Sequence, residues 1–139
     1  MYECEHFQIE ELVPPEALEL VDNKAVLWWL FDDRLLRVAD RLREEYGPMT
    51  VNDWIWGGEF TDSGLRLPGS QYYSLTSQHA HGRALDLKPV DVPVSELRQD
   101  ITGRLSDYMR QVTGVELGVS WLHIDVRNTG GQLHTFKPS

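Results

Sequence analysis

Cysteine is nearly missing from this chain. Cys4 is the only one among 139 residues, so no internal disulfide can form and no disulfide framework supports the fold. With no second thiol, Cys4 is not expected to bind zinc. Long apolar runs are missing too. The longest, residues 25–31 (Ala-Val-Leu-Trp-Trp-Leu-Phe), falls far short of the roughly 18 residues that span a membrane. Basic residues are few: 13 Lys and Arg stand against 22 Asp and Glu, a formal net charge of −9. Nucleic acids and anionic membranes select a basic surface, so neither is expected as a partner. The first six residues are acidic and lack an apolar core, so no signal peptide is expected and synthesis in the cytoplasm follows. Internal repeats and low-complexity stretches are also lacking. A hydrophobic content of 41% places the sequence among globular proteins, and its length suits a single domain with its own core.

The elements that are present suggest an α+β domain, a small antiparallel sheet packed against helices. Pro14, Pro15 and Glu16 open a short helix, since proline is tolerated in a first turn and Glu16 suits its positive end. Asp32 or Asp33 caps a stronger helix over residues 34–46, with Leu35, Val38, Leu42 and Tyr46 on one face and Gly47-Pro48 as its stop. Residues 50–56 read as a strand. Residues 57–78 form a long polar loop, a length that in a small domain marks function or mobility. A hairpin-like stretch is expected over residues 77–87. A further helix starts at Pro93 and Ser95, aligns Leu97, Ile101, Leu105 and Met109, and ends at Gly114. Residues 115–119 and 121–127 are extended, and residues 128–139 form a tail that turns toward His134. The tryptophans at 28, 29, 54 and 56 are expected in the core or on a sheet face.

Residues 121–127, Trp-Leu-His-Ile-Asp-Val-Arg, alternate with a period of two. Leu122, Ile124 and Val126 face one way; Trp121, His123, Asp125 and Arg127 face the other. Taken alone, this describes the solvent-facing side of a strand. Asp86 sits in a similar context, with Ala84 on its face and Leu85 and Leu87 opposite, and the turn at Gly82 can swing His79 back toward it. Two histidines and one carboxylate from separated segments are a common ligand set for a catalytic zinc ion, which keeps a fourth position open; other divalent metals accept the same donors.

The pattern Ser77-x-His79-x-x-Gly82-x-Ala84-x-Asp86, followed by Trp121-x-His123-x-Asp125, resembles peptidase family M15. These are zinc D-alanyl-D-alanine carboxypeptidases and related murein peptidases, structurally similar to the hedgehog N-terminal domain. Ser63-Gly-Leu-Arg66 also resembles the Ser-Gly-x-Arg loop of the family. The likeness covers roughly residues 50–127, with residues 1–49 as additional N-terminal helices. It implies a hedgehog/DD-peptidase-like fold, with zinc held by His79, Asp86 and His123. Gly82 and Ala84 are then structural, Ala84 leaving room beside the metal, and Ser77 braces a ligand. Arg66 is expected near the fourth metal position, where it pairs with a substrate carboxylate or the charged intermediate.

The likeness is weakest at the general base. Many family members carry Glu three residues before the last His, where this chain has Ser120. Glu116 and Asp125 are the acidic candidates. Glu116 is preferred, because it points opposite to Val115 and Leu117 and can reach the site face after Gly118; Asp125 is better suited to orient His123 or pair with Arg127. His81 would share a strand face with His79 as a bystander. His6 and His134 match nothing. Tyr72, Tyr73 and Trp121 are candidate groove walls. The resemblance thus implies a zinc metallopeptidase that cleaves peptidoglycan stem peptides, as a carboxypeptidase or endopeptidase. The alternative is a non-catalytic, zinc-stabilised binding or structural module, for example virion-associated. Family members of this size are often phage-encoded and act at the cell wall, although a charge of −9 gives no electrostatic attraction to an anionic wall.

Overall fold

The computed structural model describes residues 1–138. Its helices are α1 (Pro15–Glu19), α2 (Asp33–Tyr46) and α3 (Val94–Thr102), and its strands are β1 (Met49–Thr50), β2 (Ala84–Pro89), β3 (Gly114–Glu116), β4 (Leu122–Asp125) and β5 (His134–Phe136). Short 3-10 turns fill much of the rest, over Ile9–Glu11, Lys24–Leu30, Trp54–Trp56, Gln78–His81 and Asp107–Gln111. The architecture is α+β: an open five-stranded sheet in the order β1-β2-β4-β3-β5, with helices against it. Among the described residues no helix is long and apolar enough to cross a membrane.

α2 forms as its pattern predicts. Asp32 caps it by accepting the Arg34 amide at 2.9 Å, and Gly47 closes it at φ +91°. Leu35, Val38 and Leu42 are fully buried, while half-buried Tyr46 donates its hydroxyl to Asp100 at 2.7 Å. The apolar side of the sheet supplies Leu85, Leu87, Val115, Leu122, Ile124 and Val126 to the same core that holds Phe7, Leu12, Leu35 and Leu42. The N-terminal segments and the strands therefore share one core.

Several expected elements are reshaped. The strand over 50–56 ends at Thr50, because the N-terminal segment takes over its backbone: the Asn52 amide donates to Glu11 O, and the Asn52 side chain and the Trp54 indole both donate to Val13 O. The chain then coils through Trp54–Trp56 into left-handed Gly57. The helix after Pro93 stops at Thr102, since Arg104 adopts φ +51°; this leaves Leu105 70% exposed while Leu97, Ile101 and Met109 stay buried. Gly114 begins β3 rather than ending a helix. Trp28 is buried, but Trp29 and Trp56 are exposed.

The sheet is mixed rather than antiparallel. β1–β2, β2–β4 and β3–β4 are antiparallel, but β5 from the tail pairs parallel to β3. Gly130 and Gly131, both at positive φ, turn the chain back so that the His134 amide reaches Thr113 O and Phe136 O accepts from Leu117. Residues 77–87 are not a hairpin either. Gln78–His81 is a 3-10 turn that runs through left-handed Gly82 into β2. Glycine is required at 82 twice over: φ is +67°, and a Cβ there would meet the Leu30 carbonyl oxygen.

Candidate metal centre and adjoining cleft

The site lies on the side of β2 and β4 away from the core. The antiparallel register pairs Asp86 with His123 and Ala84 with Asp125, so four side chains of two strands share this face. The 3-10 turn brings His79 in from the loop side. His79 and His123 are 3% and 5% exposed, and their rings meet edge to face at 5.1 Å. Asp86 stands between them, with Oδ1 3.3 Å from His79 Nε2 and 2.9 Å from His123 Nδ1. One donor atom from each of the three falls within 4.8 Å of the others, so this largely buried group could bind a metal ion. The two separations compare with about 3.3 Å for the edge of a tetrahedron whose metal–ligand bonds are about 2.0 Å.

The remaining ring nitrogens are already engaged, which is what a metal-ready pair of histidines requires. His79 Nδ1 lies 2.9 Å from Gly64 O, leaving Nε2 as the free donor. His123 Nε2 lies 2.8 Å from Asp125 Oδ2, leaving Nδ1. Asp125 is completely buried and is gripped by Arg127 through Nε at 2.8 Å and a terminal nitrogen at 2.6 Å. Small neighbours make room for it. Ala84 lies across from Asp125 on β2, on the same face. Gly114 lies across from it on β3, where a Cβ would strike the carboxylate.

The electrostatics of the metal-free group follow from this packing. Burial works against ionisation of Asp86, but hydrogen bonds from His123 and His79 prevail and hold its pKa well below the usual carboxylate range. Burial likewise opposes charge on His123, yet Asp125 and Asp86 outweigh it and raise its pKa to about 9. Asp125, desolvated but paired with Arg127 and His123, is held down to about 2. Without metal, a protonated His123 is clamped between two carboxylates.

A cleft of about 300 Å³ opens over the triad. Arg66, Glu116, Trp121, Arg127 and Phe136 line it together with His79, Asp86 and His123. Arg66 is aimed by its Nε–H bond to Asp62 O at 2.8 Å and by a 3.4 Å contact with Asp86 Oδ2. Its own backbone amide pairs with His79 O. Glu116 is half-buried; Val115 pairs with Ile124, so the next step of the register sets Glu116 beside His123. Asp125 shares their strand face but does not line the cleft. Its place under His123 predicts that Asp125→Asn weakens zinc affinity about 10–100-fold with the fold retained, measurable by competition against a chromophoric chelator.

Other expected residues fall elsewhere. His81 does not share the His79 face: on a 3-10 turn, positions two apart diverge, and His81 is exposed with Nε2 2.6 Å from Leu75 O. The brace on His79 is Gly64 O rather than Ser77, although Ser77 does line the cleft. Tyr72 and Trp121 border a neighbouring cleft, and Tyr73 lines neither. His6 lies 3.3 Å from Glu44 on the surface, where Glu5, His6 and Glu44 form a wholly exposed cluster. Two contributors carry no motif in the sequence. Phe136 covers His123 at 5.4 Å and carries Arg127 over its ring at 4.6 Å. Lys88, next along the face of β2 from Asp86, lines the neighbouring cleft. Only the period of two from Asp86 could have pointed to Lys88. The chain matches no family model, no curated protein and no solved structure.

Proposed function

We propose that this chain is a zinc-dependent peptidase that hydrolyses peptidoglycan stem peptides, with a hedgehog/DD-peptidase-like fold. The observation that carries the reading is the convergence of His79 Nε2, Asp86 Oδ1 and His123 Nδ1 beneath a cleft that also presents Glu116 and Arg66. The resemblance of the Ser77–Asp86 and Trp121–Asp125 patterns to murein peptidases points to the substrate. Zinc held there would polarise the scissile carbonyl and favour ionisation of water. Glu116 accepts a proton from the attacking water and returns it to the departing amine as the C–N bond breaks. Arg66, fixed by Asp62 O and Asp86, pairs with the oxygen that gains negative charge. Asp125 and Arg127 keep the His123 ring turned so that Nδ1 stays available.

The test couples metal content to cleavage. The purified protein is expected to contain one zinc per chain and to digest muropeptides; a chelator should abolish digestion and added zinc restore it. Stoichiometric zinc with no cleavage of any muropeptide would overturn the peptidase reading in favour of a metal-stabilised binding module.

A further inference from the structure

β5 is a slight element at the edge of the sheet. It spans three residues, its His134 and Thr135 are exposed, and β3 is its one neighbour. Few contacts hold it. Arg104 donates to Gly131 O at 3.2 Å just before the strand, the His134 amide donates to Thr113 O at 2.8 Å, and the Leu117 amide donates to Phe136 O at 2.7 Å. Leu133 packs against the core, but half-buried Phe136 is not among the side chains that do. The Phe136 ring meets polar partners instead: the His123 ring edge to face at 5.4 Å, the Arg127 guanidinium at 4.6 Å and the His134 ring stacked at 5.7 Å. Such contacts depend on the face and edge of the aromatic ring, not on its bulk alone.

These contacts converge on one relay. Arg127 grips Asp125 through two nitrogens, and Asp125 engages His123 Nε2 at 2.8 Å, which leaves Nδ1 for a metal. Phe136 lies against both ends of that relay, Arg127 at one and His123 at the other. The register adds a second link. Glu116 pairs with Phe136, and the Leu117 amide bonds to Phe136 O, so β5 also fixes the backbone that presents Glu116 to the cleft. Resting on the zinc of the reading above, and not on what the site cleaves, we infer that Phe136 is a positioning residue: docking of β5 on β3 holds His123 in its metal-binding orientation, and zinc in turn holds β5 docked. A short edge strand opens locally more readily than β4, whose four residues are all buried. Coupling between two equilibria is reciprocal, so a preference of zinc for the docked strand must reappear as a tightening of the strand by zinc.

Zinc affinity, measured by competition against a chromophoric chelator, is expected to fall about 10–100-fold in Phe136→Ala, the range for groups that orient a metal ligand. Phe136→Tyr keeps the ring and should recover most of the loss. Phe136→Leu, apolar but without a π face for Arg127, should recover little. The wild-type full-length chain supplies a readout that needs no variant to fold. Exchange of the His134 and Leu117 amide hydrogens should slow when zinc replaces chelator, by a factor of the same order as the affinity lost in Phe136→Ala. Amides inside α2 are the reference for stabilisation of the whole domain. Unchanged zinc affinity in Phe136→Ala, or His134 and Leu117 amides that slow no more than those of α2, would overturn the inference and leave Phe136 as a cover on the cleft wall. A chain that takes up no zinc would overturn both this inference and the peptidase reading. Zinc-coupled docking of β5 without cleavage of any muropeptide would keep the inference and refute the peptidase. Zinc-dependent cleavage with β5 indifferent to zinc would do the reverse.

Discussion

Glu116→Gln is expected to lower kcat on muropeptides by about 10²–10⁴ while leaving zinc content and thermal stability close to wild type. The range is that of a general acid–base group removed from a positioned proton transfer. Glutamine preserves the size and hydrogen bonding of a half-buried side chain at the strand end but cannot take up the proton. Zinc retention follows because Glu116 is not one of the three clustered donors. The rival assignment leaves a different signature. Asp125 is fully buried, bonded to His123 and held by Arg127, so its loss acts on metal affinity first. If Glu116→Gln retained the wild-type rate, Glu116 would not be the base. If Asp125→Asn instead lost its rate at full zinc occupancy, the base would be Asp125. Single-turnover kinetics at saturating zinc distinguish these outcomes.

How far the sequence anticipates this site depends on the range of the forces at each residue. α2 was legible because its determinants are local: a capping Asp32, a 3.6-residue apolar face and a Gly-Pro stop all act within one segment. β4 was legible because alternation fixes which side meets the core, whatever strands lie beside it. For the triad, periodicity alone suggests only a solvent-facing strand side; the donor chemistry of two histidines and one carboxylate, and the resemblance between short patterns, point to the metal site. What stayed hidden is non-local or carried by backbone. The partner that orients His79 is the carbonyl of Gly64, a group every residue possesses. β5 comprises three residues, two of them exposed, and exists because Gly130 and Gly131 return the tail to an open edge of β3. The break after Thr102 depends on Arg104 accepting a left-handed conformation, for which arginine gives no signal. The strand expected over 50–56 failed for a similar reason, since its hydrogen bonds go to Glu11 and Val13 some forty residues earlier.

Zinc should stabilise the fold more as pH rises, while the metal-free protein should weaken over the same interval. His123 has a folded pKa raised from 6.5 to about 9, so its contribution to metal-free stability is complete below about pH 6.5 and is lost as pH climbs through 9. A rise of that size corresponds to roughly 3 kcal/mol. The lowered pKa of Asp125, about 2, has the opposite sign: its contribution is complete above about pH 4 and is lost as pH falls toward 2. The two shifts describe one set of contacts and are not added. Metal must displace the His123 proton, so apparent zinc affinity should fall about tenfold for each pH unit below 9. With free zinc at about 1,000 times Kd, binding adds about 4 kcal/mol, worth on the order of 10 °C in Tm for a domain of this size. Melting curves between pH 5.5 and 8.5, in chelator and at fixed free zinc, should therefore diverge as pH increases. Parallel curves, or a zinc increment that grows toward acid, would mean that His123 does not give up a proton to the metal. The resting state would then be something other than an imidazolium held between Asp86 and Asp125.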